Sequence, residues 1–180
     1  RINKKTTVRV ELNIMLDKFI RELKAKSTIQ EVSAHCDIPC KIYDPITAQI
    51  AALTVVRLVD IMEETQNGGA SDLVMQNTIS RCIFRKEEEA EKVKHEIRII
   101  WGDYFKQPQF EKFPGVNDLV HEIMRTASGC KQEPTRATGE ALVQQVNQFA
   151  EMFWATKEVE TTTLPCPYPP SLPTVYPIIK

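Results

Sequence analysis

The chain has 180 residues, room for one substantial core or for one domain with extended arms. Its 23 Lys and Arg balance 24 Asp and Glu, which gives no electrostatic footprint for a nucleic-acid partner. The longest apolar runs, such as 50–53 and 99–101, are far too short to cross a bilayer, so no transmembrane segment is expected.

Residues 1–34 form an arm of basic bias. Within it Val8, Leu12, Met15, Phe19 and Leu23 recur at helical spacing, which predicts an amphipathic helix over 8–26. Such a stripe is more often a docking face than a membrane anchor. Its acidic residues Glu11, Asp17 and Glu22 also argue against a transit peptide.

Next comes "AHCDIPCKIYDP", residues 34–45, with His35, Cys36 and Cys40 inside six positions. Four readings compete for it. It is ordinary chain before a helix, a small Cys36–Cys40 disulfide loop, a zinc site one ligand short of four, or a planar nitrogen–sulfur site for a redox metal. The last has a physical logic. A His-Cys pair at a free chain start offers an amine, an amide nitrogen, a thiolate and an imidazole, and Cys40 adds a second thiolate after a turn that Pro39 constrains. Spacing alone leaves all four open. The five cysteines, at 36, 40, 82, 130 and 166, are odd in number and scattered, which favours free thiols in a reducing compartment over a secreted disulfide framework. The expected location is therefore intracellular, cytoplasm or organelle interior. Because the sequence opens on Arg rather than Met, an upstream targeting segment, and with it a plastid, stays open.

Asp44-Pro45 is a helix-start signal, and the spacing predicts an apolar helix over 46–65 that Asn67-Gly68-Gly69 breaks. A second helix is predicted from about Asp72 to Gly102. Its polar middle, 85–92, carries opposite charges at i,i+4 spacing and reads as a solvated face. An aromatic link follows, with Trp101, Tyr104, Phe105, Phe110 and Phe113 punctuated by Pro108 and Pro114. A third helix is predicted over about 116–128, ended by Gly129, and a fourth over about 138–158 burying Leu142, Val146, Phe149 and Phe153. Four amphipathic helices with mostly short links predict an all-α, antiparallel four-helix bundle, with an extra N-terminal helix ahead of it. Beyond Glu158 six prolines in 20 residues forbid a helix, so 159–180 should be an extended Pro-rich tail, either a strap on a surface or disordered. His95 and His121 are isolated on helices. No nucleotide-binding glycine loop or Ser-His-Asp set is legible.

"HCDIPCKIYDP" resembles the mature N-terminus of the nickel superoxide dismutase family. The likeness continues in "IIWGDYFKQPQFEKFP" (99–114) and "RATGEALVQQVNQFAEMFWATKE" (136–158), covering about 35–158 and leaving both arms unmatched. The resemblance implies a four-helix bundle, a homo-oligomer (a hexamer), and nickel as cofactor with superoxide as substrate. Carried over residue by residue, His35 supplies the α-amine and the axial imidazole, Cys36 the amide nitrogen and a thiolate, and Cys40 the second thiolate. Asp37, the Ile38-Pro39 step and Tyr43 match residues that shape the turn and gate small anions, and Tyr104 and Lys106 match a second tyrosine and a lysine behind the hook. On structural grounds alone, Tyr104 fits equally well as a core aromatic.

This chain departs from the family in four places. Lys41 stands where the family has glycine, Ala51 where a glutamate orients the imidazole, and Glu89, by count, where an arginine joins that contact, with Arg85 one turn away. The family's precursor peptide is cut off to free the histidine amine, whereas here 34 residues precede His35. The expected parts are thus an extension or propeptide (1–34), the bundle (35–158) and the tail (159–180). The alternative to a dismutase is a non-catalytic bundle of the same descent, docked by its arms on a larger assembly.

Overall fold

The computed structural model describes residues 40–179, and 41–179 form one compact unit. The predicted helix over 8–26, and His35, Cys36 and Asp37, lie outside the described residues. Four long helices, α1 (Ile46–Asn67), α2 (Asp72–Ile99), α4 (Val116–Gln132) and α5 (Arg136–Thr156), close a ring. In it α1 packs on α2 and α5, and α4 packs on the same two. Short links at 68–71 and 133–135 make each hairpin antiparallel. No helix among the described residues is long and apolar enough to cross a membrane.

Local chemistry sets the ends. Asp44 accepts the Ile46 amide at 2.8 Å ahead of α1, as its Asp-Pro signal implies, and the Thr135 hydroxyl accepts the Thr138 amide at the start of α5. The core is a continuous apolar set that includes Leu53, Val56, Val93, Ile97, Ile123, Leu142, Val146, Phe149 and Phe153. Each such side chain contributes roughly 1.5–3 kcal/mol on burial. Helices α1 and α5 approach closely because position 139 is glycine: a Cβ there would lie 2.9 Å from the Val56 Cγ2.

Three expectations are corrected, and a fourth is narrowed. First, the charged run 85–92 is not a uniformly solvated face. Lys86 is 1% exposed, and its ammonium donates to the carbonyls of Cys130 and, at 3.0 Å, Lys131, closing off the last turn of α4. Glu89 is also buried. Second, Gly129 does not end α4, which runs three residues further because Lys86 supplies the donors its final carbonyls need. Third, α2 stops at Ile99 and a π-helical turn, Ile100–Tyr104, follows, closed by the Phe105 amide on the Ile100 carbonyl; a short helix α3 (Gln107–Lys112) then interrupts the aromatic link.

The tail is extended, as expected, and of its two alternatives, strap or disorder, it takes the ordered one. It is an antiparallel hairpin of β1 (Thr161–Pro165) and β2 (Pro173–Pro177). Bonds from Ile178 to Glu160 and from Cys166 to Leu172 bracket the ladder. By the alternation of antiparallel pairing, the bonded pairs are then 162 with 176 and 164 with 174. Pro165, Pro173 and Pro177 all fall at positions that need no N–H toward the partner strand, so a proline-rich sequence can pair here. The buried Gln49 and the half-buried Asn147 hold the outer edge of β2: Gln49 donates to the Val175 carbonyl at 2.9 Å, while Asn147 accepts the Val175 amide and donates to the Pro173 carbonyl. The strap reading was therefore the correct one.

The chain leaves α5 for this hairpin through a left-handed turn. Glu158 has φ +60°, with the Glu158 amide on the Ala155 carbonyl and the Val159 amide on the Trp154 carbonyl. This is the Schellman pattern, with glutamate where glycine is usual.

Candidate metal centre

The described part of the hook begins at Cys40, whose side chain is exposed. Lys41 follows at φ +58°, a left-handed conformation that glycine adopts freely and a lysine adopts at a cost of about 1 kcal/mol. The chain then enters α1 through Tyr43 and the Asp44 cap.

Tyr43 and Tyr104, singled out from separate motifs 61 residues apart, come together: their ring centroids are 5.6 Å apart at 51°. The π-helical turn delivers Tyr104 to this spot, where it also packs on Phe105 at 5.6 Å and Phe153 at 4.9 Å. Phe105 continues into Phe110 and Phe149, so the aromatic link is the lid of the core at this end of the bundle. Tyr104 is therefore both a core aromatic and a neighbour of Tyr43. Lys106 is exposed, with its ammonium on the Gly102 carbonyl at 3.3 Å.

Two residues that the sequence reading passed over complete the cluster. Thr156 bonds the Tyr104 hydroxyl at 2.6 Å, and the Lys157 ammonium lies 4.9 Å from the Tyr104 ring centroid and 5.1 Å from that of Phe153. Lys112 reaches the Ala155 carbonyl nearby. The only sequence signal was that Thr156 and Lys157 close the last quoted motif, one turn beyond the buried Phe153.

Ala51 is fully buried among apolar neighbours, so no carboxylate stands there. Glu89 is bound to Arg85 at 2.6 Å, one turn back on the same helix. His95 and His121 are exposed. Among the described residues no group of three or more His, Cys, Asp or Glu converges as a metal site, and Cys82, Cys130 and Cys166 are separate buried thiols.

A profile described as nickel-containing superoxide dismutase matches residues 30–157. The chain is 38% identical over 127 residues to the superoxide dismutase [Ni] of Streptomyces coelicolor, covering 71% of this chain and 91% of that one. The enzyme of the same name from Streptomyces seoulensis is 38% identical over 128 residues, covering 71% and 92%. A solved native nickel superoxide dismutase superimposes with a TM-score of 0.59 at 36% identity, covering 68% of this chain and 99% of its own.

Proposed function

This chain belongs to the nickel-containing superoxide dismutase family, and from that premise we propose that it disproportionates superoxide once the Ala34–His35 bond is cut. The observation that carries the proposal is the meeting of Tyr43 with Tyr104 at the start of α1, three residues after Cys40. These are the two tyrosines that the family resemblance assigns to the surroundings of the hook.

The donor set fits nickel. Cys36 and Cys40 would bring two thiolates, and His35 and the Cys36 amide would bring nitrogens, a soft and strongly donating set of the kind that holds nickel. Nickel held there supplies a one-electron couple at a potential that thiolate donation lowers. Overall, two superoxides and two protons give one dioxygen and one hydrogen peroxide: one superoxide is oxidised, and the other is reduced and protonated. The chain's own tasks are to admit a small anion and deliver protons. Tyr43 and Asp37 take these roles, with Lys106 adding positive charge. Cleavage is required because the His35 nitrogen, while bonded to Ala34, is an amide without an amine lone pair. On this reading residues 1–34 are a propeptide, 35–158 the catalytic bundle assembling as a homo-oligomer, and 159–179 a hairpin that straps it.

A second reading is favoured by one observation. Ala51 is buried and Glu89 is occupied by Arg85, so neither of these two positions offers the free carboxylate or arginine that the family resemblance assigns to orienting the imidazole, as suits a bundle kept for docking rather than catalysis. A chain produced to begin at His35 and one that retains residues 1–34, each given nickel, separate the two. The proposal expects rapid superoxide consumption from the first alone. Equal inactivity of both supports the docked bundle.

A further inference from the structure

The hairpin of β1 and β2 lies beyond residue 157, where the family match ends, and it leaves one strand edge open. With 162 bonded to 176 and 164 to 174, the N–H and C=O groups of Thr161 and Thr163 point away from β2. No hydrogen bond among the described residues uses them, and Thr163, Leu164 and Pro165 are exposed. The opposite edge of the hairpin, by contrast, is held by Gln49 and Asn147. Of the usual guards of a strand edge only Pro165 is present, at one end; the rest of β1 reads Thr-Thr-Thr-Leu, without charge or bulge. The two ends limit how far a new strand can pair. Pro165 has no N–H, and the Val159 amide is already given to the Trp154 carbonyl at 3.1 Å.

We infer that β1 pairs with β1 of a second copy of this chain, antiparallel, about a two-fold axis at Thr162. In this register Thr161 faces Thr163 of the other copy and exchanges both N–H and C=O with it, so every open group of both strands is satisfied. An axis at Thr161 would set Thr163 against the spent Val159 amide, and an axis at Thr163 would set Thr161 against Pro165. The strand is thus complementary to itself in one register. The same register joins apolar surface. Leu164, 53% exposed, lands beside Glu160 of the other copy, whose next neighbour in that row is its own Ile178, 42% exposed. The two aliphatic side chains flank the glutamate stem, and no like charges meet. Two short strands bury less than the roughly 1,200 Å² of a standard interface, so the contact is weak, with a dissociation constant of order 10–100 μM. It lies wholly in the tail, apart from any assembly the bundle makes, and it does not rest on the dismutase reading.

The test is hydrogen exchange read at single amides of the full chain, across a concentration series that spans this constant. Thr162 and Leu164 should be protected throughout by their bonds to β2, and Thr161 and Thr163 only as concentration rises. This alternation reports the β1 edge alone, whatever the bundle does. Free exchange at Thr161 and Thr163 at every concentration overturns the pairing and leaves the edge to a strand of a different protein. Thr163→Pro removes an outward N–H without touching the ladder to β2, and protection of Thr161 should then need at least about tenfold higher concentration. Unchanged protection of Thr161 in this variant also overturns the pairing. Thr162→Lys and Thr162→Glu each set like charges opposite one another across the axis. Each alone should lose the concentration-dependent protection, and an equal mixture of the two should restore it. A mixture no better protected than either variant alone overturns the two-fold register and the inference with it.

Discussion

The two ends of the bundle use polar groups differently. Where α4 stops and α5 begins, the buried Lys86 spends its ammonium on the final carbonyls of α4, and Arg136 pairs with Asp60 across to α1. These groups close helix ends and tie helices together. Where α1 begins and α5 stops, Tyr43, Tyr104, Thr156 and Lys157 gather on a floor of phenylalanines. On the function proposed above, the second end is the working one. The first end should therefore break stability without touching function, and the second the reverse.

The largest expected effect is at the working end. Cys36→Ser or Cys40→Ser should abolish nickel retention and superoxide consumption. For the exposed Cys40, unfolding stability should move by no more than about 0.5 kcal/mol. Metal analysis and denaturant titration on the same samples check this pair of statements.

At the other end, Lys86→Met should lower unfolding stability by about 2 kcal/mol, because two carbonyls lose a charged donor in a dry site. Nickel bound per folded chain should not change. A loss of nickel at full stability would reverse the assignment of the two ends.

The third effect is in alkaline solution and again belongs to the structural end. Burial pushes the Cys130 thiol up from its ordinary value of 9.0 to about 11, chiefly by desolvation and despite the opposing pull of Lys86. A folded pKa above the unfolded one means the unfolded chain gives up its proton first. The stabilisation is thus whole below pH 9 and is lost as pH rises toward 11, by roughly 2–3 kcal/mol. Lys86, held below its ordinary value mainly by burial, tilts the other way in the same window. The difference between the chain and Cys130→Ala, followed by denaturant titration from pH 8 to 11, isolates the thiol: the variant should lack its share of the alkaline decline.

The smallest effects are at the two left-handed residues that bracket the working end. Lys41→Gly and Glu158→Gly should each stabilise by up to about 1 kcal/mol, since glycine takes that conformation without strain. Melting curves suffice.

The sequence reading was strongest where a period or a cap dictated structure. The apolar spacing of 46–65 and of 138–158, and the Asp44-Pro45 start, are local signals, and helices α1 and α5 follow them within about two residues. It was weakest where a distant group decided the outcome. Nothing near Gly129 says that Lys86, over forty residues earlier, will extend the helix through it. Nothing in a count of six prolines says that three of them fall on unbonded ladder positions. Of the proposed site, Tyr43 and Tyr104 were singled out through motif resemblance, whereas the contacts of Thr156 and Lys157 emerge only when α5 is laid against the π-helical turn. The departures at Ala51 and Lys41 were legible too, and each has a physical counterpart in full burial and in a positive φ.

The account stands most directly on one measurement of the native protein: its intact mass together with its nickel content. A chain that begins at His35 and carries one nickel is the predicted result. A chain that retains residues 1–34 and carries no metal would contradict it.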